Sequence, residues 1–450
     1  MGSMIEVHVV QDMPLGAGNR GRDGRPKTVF WGGSQRIRVS SQSWRRAMRN
    51  WVLDELASTE ESRVGHAWRT RRLPRLVAEA LEARGVSPED SLLLARTALA
   101  AGLHSSNGDI SGTNQLSAQV VGDDDDDLTA PMLVFPEGAP QSIADAILAA
   151  QGELPDVRQV AEAWNDGWVA VRDAERAASE ARAAARAAAA AGEGSPDENG
   201  EASASVATRR GARNVNRVEP PADPEVPVGV RGAVQAALHD TGALDVWLFG
   251  RFVAVLPDAK VDGALQVAHA VGTGINGEVV DFFVAVDDLV RSDEAAVGHV
   301  GADRVLAGGT LYRHMVLDLA QLVENMDGAD QSLVRFAASI AIRAFIQSVP
   351  HSGATGAAPA TVPHLVLGGA GRHVANMVDA YQVPATGVTA ADRLCRAWER
   401  KRVGLFAPAV SAGWAGSEVV LPDGVRGCAT PDELVDVLVS SGLSGEDGDS

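Results

Sequence analysis

Cysteine is scarce in this 450-residue chain. Cys395 and Cys428 are the only two, both late, so no disulfide framework staples the fold and a reduced, cytoplasmic protein is expected. A leader with a charged start and an apolar core is also missing, and Met1-Gly2-Ser3 ahead of Met4 reads as a cloning remnant. Long hydrophobic runs are absent: charge interrupts stretches such as Val279 to Val286 far short of the ~20 apolar residues that cross a bilayer, so no membrane partner is expected. No Cys/His constellation has zinc spacing, no internal repeat is found, and neither a metal nor a cofactor is expected. Gly368-Gly-Ala-Gly-Arg372 lacks the lysine and Ser/Thr of a phosphate loop. The five aspartates Asp123 to Asp127 repel one another and lack the spacing of a calcium loop, which makes them a solvated acidic tip.

What the chain does have is apolar bulk. At 45% hydrophobic residues it can bury a substantial core, in one large elaborated domain or two to three smaller ones. Its net charge of −19 argues at first against a polyanionic partner. The average misleads, because between Ala17 and Asn50 nine basic residues face a single acid, Asp23. One cationic patch on an acidic body favours a single oriented polyanion-binding face.

Ile5, Val7 and Val9 alternate with Glu6 and His8, the pattern of a strand with one buried face. A polar loop rich in Gly, Asn and Arg follows, and then Arg36-Ile-Arg-Val-Ser40, a short strand with its arginines on one side. Ser40 or Ser41 can cap a helix whose buried stripe is Trp44, Ala47, Met48, Trp51, Val52 and Leu56, leaving Arg45, Arg46 and Arg49 off the stripe. Helical pattern runs from Arg69 to Gly102, and an alanine- and arginine-rich helix from Trp168 to Ala191 has little to bury. Gly192 to Gly229 has linker composition. Strands are expected at 245–251, 279–286, 311–319 and 364–367, and helices on Leu265, Ala268 and Val271, at 330–347, 391–402 and 432–439. The order strand, helix, strand, strand, helix, strand, from 5–10, 41–57, 245–251, 311–319, 330–347 and 364–367, predicts an α+β ferredoxin-like sandwich with a long insertion after its first helix. RNA-recognition motifs share that topology.

The block Arg36-Ile-Arg-Val-Ser-Ser-Gln-Ser-Trp-Arg-Arg-Ala-Met-Arg49, with Asn19-Arg20, Lys27 and Gly32-Gly33 before it, resembles the backbone subunit of the type I-E CRISPR Cascade complex, the CasC or Cas-seven family. Gly250-Arg251, Lys260-Val-Asp-Gly-Ala264, Ala268-His-Ala270, Ala285-Val-Asp-Asp288 and Tyr312-Arg313 follow in the family's order. The resemblance covers roughly 4–160 and 230–440 and leaves about 165–228 as an insertion. It implies an RNA-recognition-like palm with a helical finger insertion and a protruding thumb. Residues 1–57 would begin the palm, 58–240 form the finger, 241–370 complete the palm with a thumb at 252–260, and 371–450 add C-terminal helices. It also implies copies of the chain stacked along a guide crRNA beside other Cascade subunits, with target DNA reached through the guide. Guide contacts map to Asn19, Arg20, Lys27, Arg36, Arg38, Ser40, Ser41, Gln42, Arg45, Arg46, Arg49 and Lys260, and Phe252, Val253, Val255 and Leu256 are candidates for the thumb side chain that displaces a nucleotide.

The residue chemistry suits that role. Arg and Lys neutralise phosphates, Ser and Gln bond phosphate or ribose hydroxyls, and a helix N-terminus at Ser41 to Ser43 offers free N–H groups. Trp44 and Trp51 belong to the core, and His269 reads as a histidine packed in a helix. A non-enzyme is expected. The rival reading, an RNA-processing ribonuclease on the same scaffold, has only His8, Tyr312 and His314 as acid–base material, and nothing in sequence places them together.

Overall fold

The computed structural model describes residues 3–58, 64–103, 128–129, 132–192, 222–253, 257–282, 284–286, 297–300, 304–350, 357–404 and 406–444. The aspartate run, most of the linker, and the thumb candidates Val255 and Leu256 lie outside these residues. In chain order the elements are β1 (Met4–Gly16), β2 (Thr28–Trp31), β3 (Ser34–Val39), α1 (Ser41–Ser58), β4 (Ala67–Thr70), α2 (Leu73–Glu82), α3 (Pro88–Gly102) and β5 (Leu133–Pro136). Next come α4 (Ala139–Ala149), α5 (Leu154–Gly192), α6 (Val228–His239), α7 (Leu244–Phe249), β6 (Leu265–Val267), β7 (Ala270–Gly272), β8 (Gly277–Asp281), β9 (Val284–Val286) and β10 (Val297–Val300). The chain finishes with β11 (Arg304–Asp318), α8 (Leu319–Asn325), α9 (Gln331–Gln347), β12 (Leu365–Gly371), α10 (Gly387–Lys401), β13 (Val410–Ala415), β14 (Arg426–Gly427) and α11 (Pro431–Ser444).

Two compact units result: one of residues 1–66, 241–251 and 261–450, the other of 67–240 and 252–260. The first is built on a mixed sheet ordered β14-β13-β12-β1-β11-β7-β3-β2, with β6 and β8 also paired to β11. β1 lies at its centre, antiparallel to both β11 and β12. Ile5, Val7 and Val9 face a core shared with Met48 and Val52 of α1, Val334 to Ile346 of α9 and Leu434 to Val439 of α11. On the opposite face Val10, Tyr312, Leu365 and Leu367 pack against Leu394, Cys395 and Trp398 of α10.

The sequence pattern predicts one buried face for β1, and both are buried: Glu6 and His8 are as enclosed as their apolar neighbours. Their polarity marks an internal cluster rather than a solvent face. Residues 245–251, expected as a strand, form the short helix α7, stopped by Gly250 at φ 73°. A run this short has no diagnostic period, and a Cβ on Gly250 would lie 2.6 Å from the Val261 carbonyl oxygen, so only glycine fits. The expected helix through Leu265, Ala268 and Val271 is instead β6 and β7, which hydrogen-bond β11 and β3. Tertiary pairing overrides a coincidental three-residue spacing there. The stretch Gly368 to Gly371 lies in β12, and a Cβ at Gly368 would come within 2.3 Å of Leu438 Cδ1, so close helix packing explains it without a phosphate.

The second unit is mainly helical, with a two-stranded β4–β5 sheet. Its core joins Leu73 to Leu81 of α2, Leu94 to Leu99 of α3, Ile143 and Ile147 of α4, and Val230 and Val234 of α6. The long helix α5 contributes Trp164, Trp168 and Val171 to that core, and the described residues after Val171 are polar, small or exposed. The expected insertion at 165–228 therefore starts inside a packed helix. Among the described residues no helix is long and apolar enough to cross a membrane.

Candidate nucleic-acid interface

The basic segment lies on the first unit, where the loop after β1 folds over the β2–β3 hairpin and the start of α1. Backbone bonds set its geometry: Lys27 N–H donates to Asn19 O at 2.8 Å and Arg38 N–H to Lys27 O at 2.9 Å. Asn19 Oδ1 accepts from Ser40 N–H at 3.2 Å. Ser40 is the N-cap, its Oγ accepting from Ser43 N–H at 3.4 Å, which selects it over Ser41. Asn19, Lys27, Arg38, Ser40 and Ser41 are thereby brought into one neighbourhood.

A residue that the sequence reading places in a helix completes this group. His269 sits in the link between β6 and β7 and is exposed. Its Nδ1 accepts from Ser41 N–H at 3.1 Å and lies 3.3 Å from Arg38 Nη1. Burial, then the charges of Arg38 and Lys27, push His269 below the ordinary histidine value. Its signal in the sequence was the Ala268-His-Ala270 match, which says nothing about a partner as distant in sequence as Ser41.

The arginines divide by environment. Arg36 is buried: its guanidinium donates to the Trp31, Thr273 and Tyr381 carbonyls, and burial lowers its pKa. It offers solvent no free face and is set apart from the surface cations. Arg45 donates to Phe249 O at 2.6 Å and stacks over that ring. Arg49 pairs with the buried Asp245 carboxylate at 2.7 Å, so both tie α1 to α7. Arg46 and Gln42 are exposed. Arg20 clasps its own loop through Gly24 O at 2.7 Å, and the exposed Arg25 pairs with Glu278. Trp44 is core as expected, stacked on the buried Arg313, whose pKa burial lowers to about 9.

In the second unit Lys260 is exposed and Phe252 projects at 74% exposure, whereas Val253 is buried in that unit's core and cannot serve as a protruding side chain. Arg251 and Val261 exchange both backbone hydrogen bonds at 2.9 Å, so residues 252–260 leave and rejoin the first unit at one point.

His8, Tyr312 and His314, scattered in sequence, do meet. His8 pairs with His314 across β1 and β11, and its Nδ1 shares a 2.8 Å hydrogen bond with the Tyr312 hydroxyl. All three are enclosed beneath α10. Burial lowers His8 to about 3 and His314 below its ordinary value, and raises Tyr312, so all are neutral at pH 7.

The sequence profile of the CT1975-like protein family matches residues 5–402, most of the chain. The chain belongs to the CT1975-like protein family. Its fold is similar to a solved chain of a "CRISPR RNA-guided surveillance complex, pre-nicking", with a TM-score of 0.70 and 24% identity over 98% of this chain and 100% of that one. A chain of a second "CRISPR RNA-guided surveillance complex" gives a TM-score of 0.61 and 21% identity over 97% and 99%. At these identities the likeness is one of fold. A comparison with curated proteins finds no match. The CT1975-like chain is thus a mixed α+β protein with a large mixed sheet.

Proposed function

We propose that this CT1975-like chain is a non-catalytic, guide-RNA-binding backbone subunit of a CRISPR surveillance complex, of type I-E, with copies polymerised along crRNA and target DNA reached by pairing to the guide. The observation that carries the reading is the convergence of Lys27, Arg38, His269 and the N-terminus of α1 on one face of an otherwise acidic protein. Such a face reads phosphate and ribose, which suits a subunit that leaves sequence choice to base pairing. The palm supports it too. Taking β1, β6 with β7, β11 and β12 as strands one to four, with α1 and α9 as the two helices, their spatial order is 4-1-3-2, that of a ferredoxin-like, RNA-recognition-motif-like sandwich. The finger corresponds to residues 67–240 of the second unit, and of the two thumb candidates among the described residues, Phe252 is exposed and Val253 buried.

Burial of His8, Tyr312 and His314 supports the non-catalytic part, since a general acid or base must reach the scissile phosphate. The test is co-expression with a guide RNA followed by nuclease protection of the purified particle. RNA protected at regular intervals is expected. Protein that purifies free of RNA, or that cleaves a labelled repeat RNA, would contradict the reading.

A further inference from the structure

Glu6 and His8 stand two apart on β1, on the face that packs against α10, and His314 lies directly opposite His8 on β11. One ligand atom from each lies within 4.8 Å of the others, and all three side chains are buried. Glu6 Oε2 is 3.3 Å from His8 Nε2 and 4.0 Å from His314 Nε2. Donors around a tetrahedral zinc ion stand about 3.3 Å apart, given metal–ligand bonds of about 2.0–2.1 Å. The Glu6–His8 pair has that spacing, and the other two pairs, within 4.8 Å, must draw closer by side-chain rotation to hold an ion.

We propose that Glu6, His8 and His314 form a buried binding site for a divalent transition-metal ion of the zinc class. His314 Nε2 is enclosed with no hydrogen-bond partner, a state that burial makes costly unless something else satisfies the atom. The surroundings have the form of an outer ligand shell. The Tyr312 hydroxyl holds His8 Nδ1 at 2.8 Å and accepts from Met377 N–H at 2.9 Å, which fixes the ring and turns Nε2 towards Glu6. Ala375 N–H donates to Glu6 Oε2 at 3.0 Å, and the Lys401 ammonium rests on Oε1. Trp398 packs edge-on to His8 at 5.4 Å and helps to exclude water. Two imidazoles with one carboxylate suit zinc, whereas magnesium and calcium call for oxygen donors throughout. Lys401 is the opposing charge, so an ion binds against it. The donors come from two strands remote in sequence, and no Cys/His spacing announces them.

Because the site is sealed, the ion enters during folding, and the test is made on full-length protein produced with Zn2+, then dialysed exhaustively and assayed by elemental analysis. About one zinc per chain is expected. His314→Gln should lose it, Tyr312→Phe should hold it on the order of 10–100-fold more weakly, and Lys401→Met should hold it more tightly. Should His314→Gln fail to fold, Co2+-substituted wild type and Tyr312→Phe carry the test. Visible d–d bands of Co2+ held by nitrogen and oxygen donors in the wild type, weakened in the variant, are expected. Wild-type protein that retains no zinc, or a His314→Gln protein that retains it fully, would overturn the proposal.

Discussion

His269 shows what a single side chain can report about the cationic face. Its folded pKa lies below the ordinary value of 6.5, chiefly through burial and then through Arg38 and Lys27. The unfolded chain therefore takes up a proton before the folded one as pH falls, so this histidine favours folding fully above 6.5 and less below it. A bound polyanion reverses the local field. RNA binding should raise the His269 pKa, and by linkage RNA affinity should increase as pH falls towards 6. Histidine NMR titration with and without a single-stranded RNA checks this. A His269 resonance whose titration RNA leaves unmoved would place the phosphate elsewhere. Arg36 makes the complementary point: strand alternation correctly sets it on the same side as Arg38, but the carbonyls that enclose it come from Trp31, Thr273 and Tyr381, mostly far away in the chain.

At the scale of elements, α1 separates structural from surface charge. Its arginines all lie off the apolar stripe, yet two are engaged by α7, which the sequence reading takes for a strand. Removing Arg49 leaves the buried Asp245 carboxylate without that partner, so Arg49→Ala should destabilise by about 1–3 kcal/mol, whereas exposed Arg46→Ala should stay within about 0.5 kcal/mol. Urea denaturation of the two variants checks the difference, and equal midpoints would show that the α1–α7 tie carries no stability. The elements legible in the sequence were those with sustained period and caps: α1 from Ser40, α9 from its N-cap Asp330, and the alternating β1. Those that were not, α7, β6 and β7, are short, and their identity is set by β11, Gly250 and β3 rather than by their own residues.

Across the whole molecule, the long block at 36–49 suggests by resemblance a family of RNA-wrapping subunits; the chain belongs to the CT1975-like family over 5–402, and its fold is similar to that of a chain of a solved surveillance complex. The division into units was only half visible. Residues 252–260 separate from the flanking palm segments because Val253 and Ala259 pack with the finger helices, a partnership no local pattern encodes. Under the proposed function, the basic face at Lys27, Arg38 and the start of α1 on an acidic chain should meet RNA through its phosphates. The most direct test is the salt dependence of single-stranded RNA binding by wild type and by the Lys27→Ala, Arg38→Ala, Arg46→Ala triple variant. If each cation neutralises one phosphate, the log–log slope should shrink by about 0.7 per contact, roughly two units in all, and equally for RNAs of unrelated sequence. A folded triple variant with the wild-type slope would contradict the account.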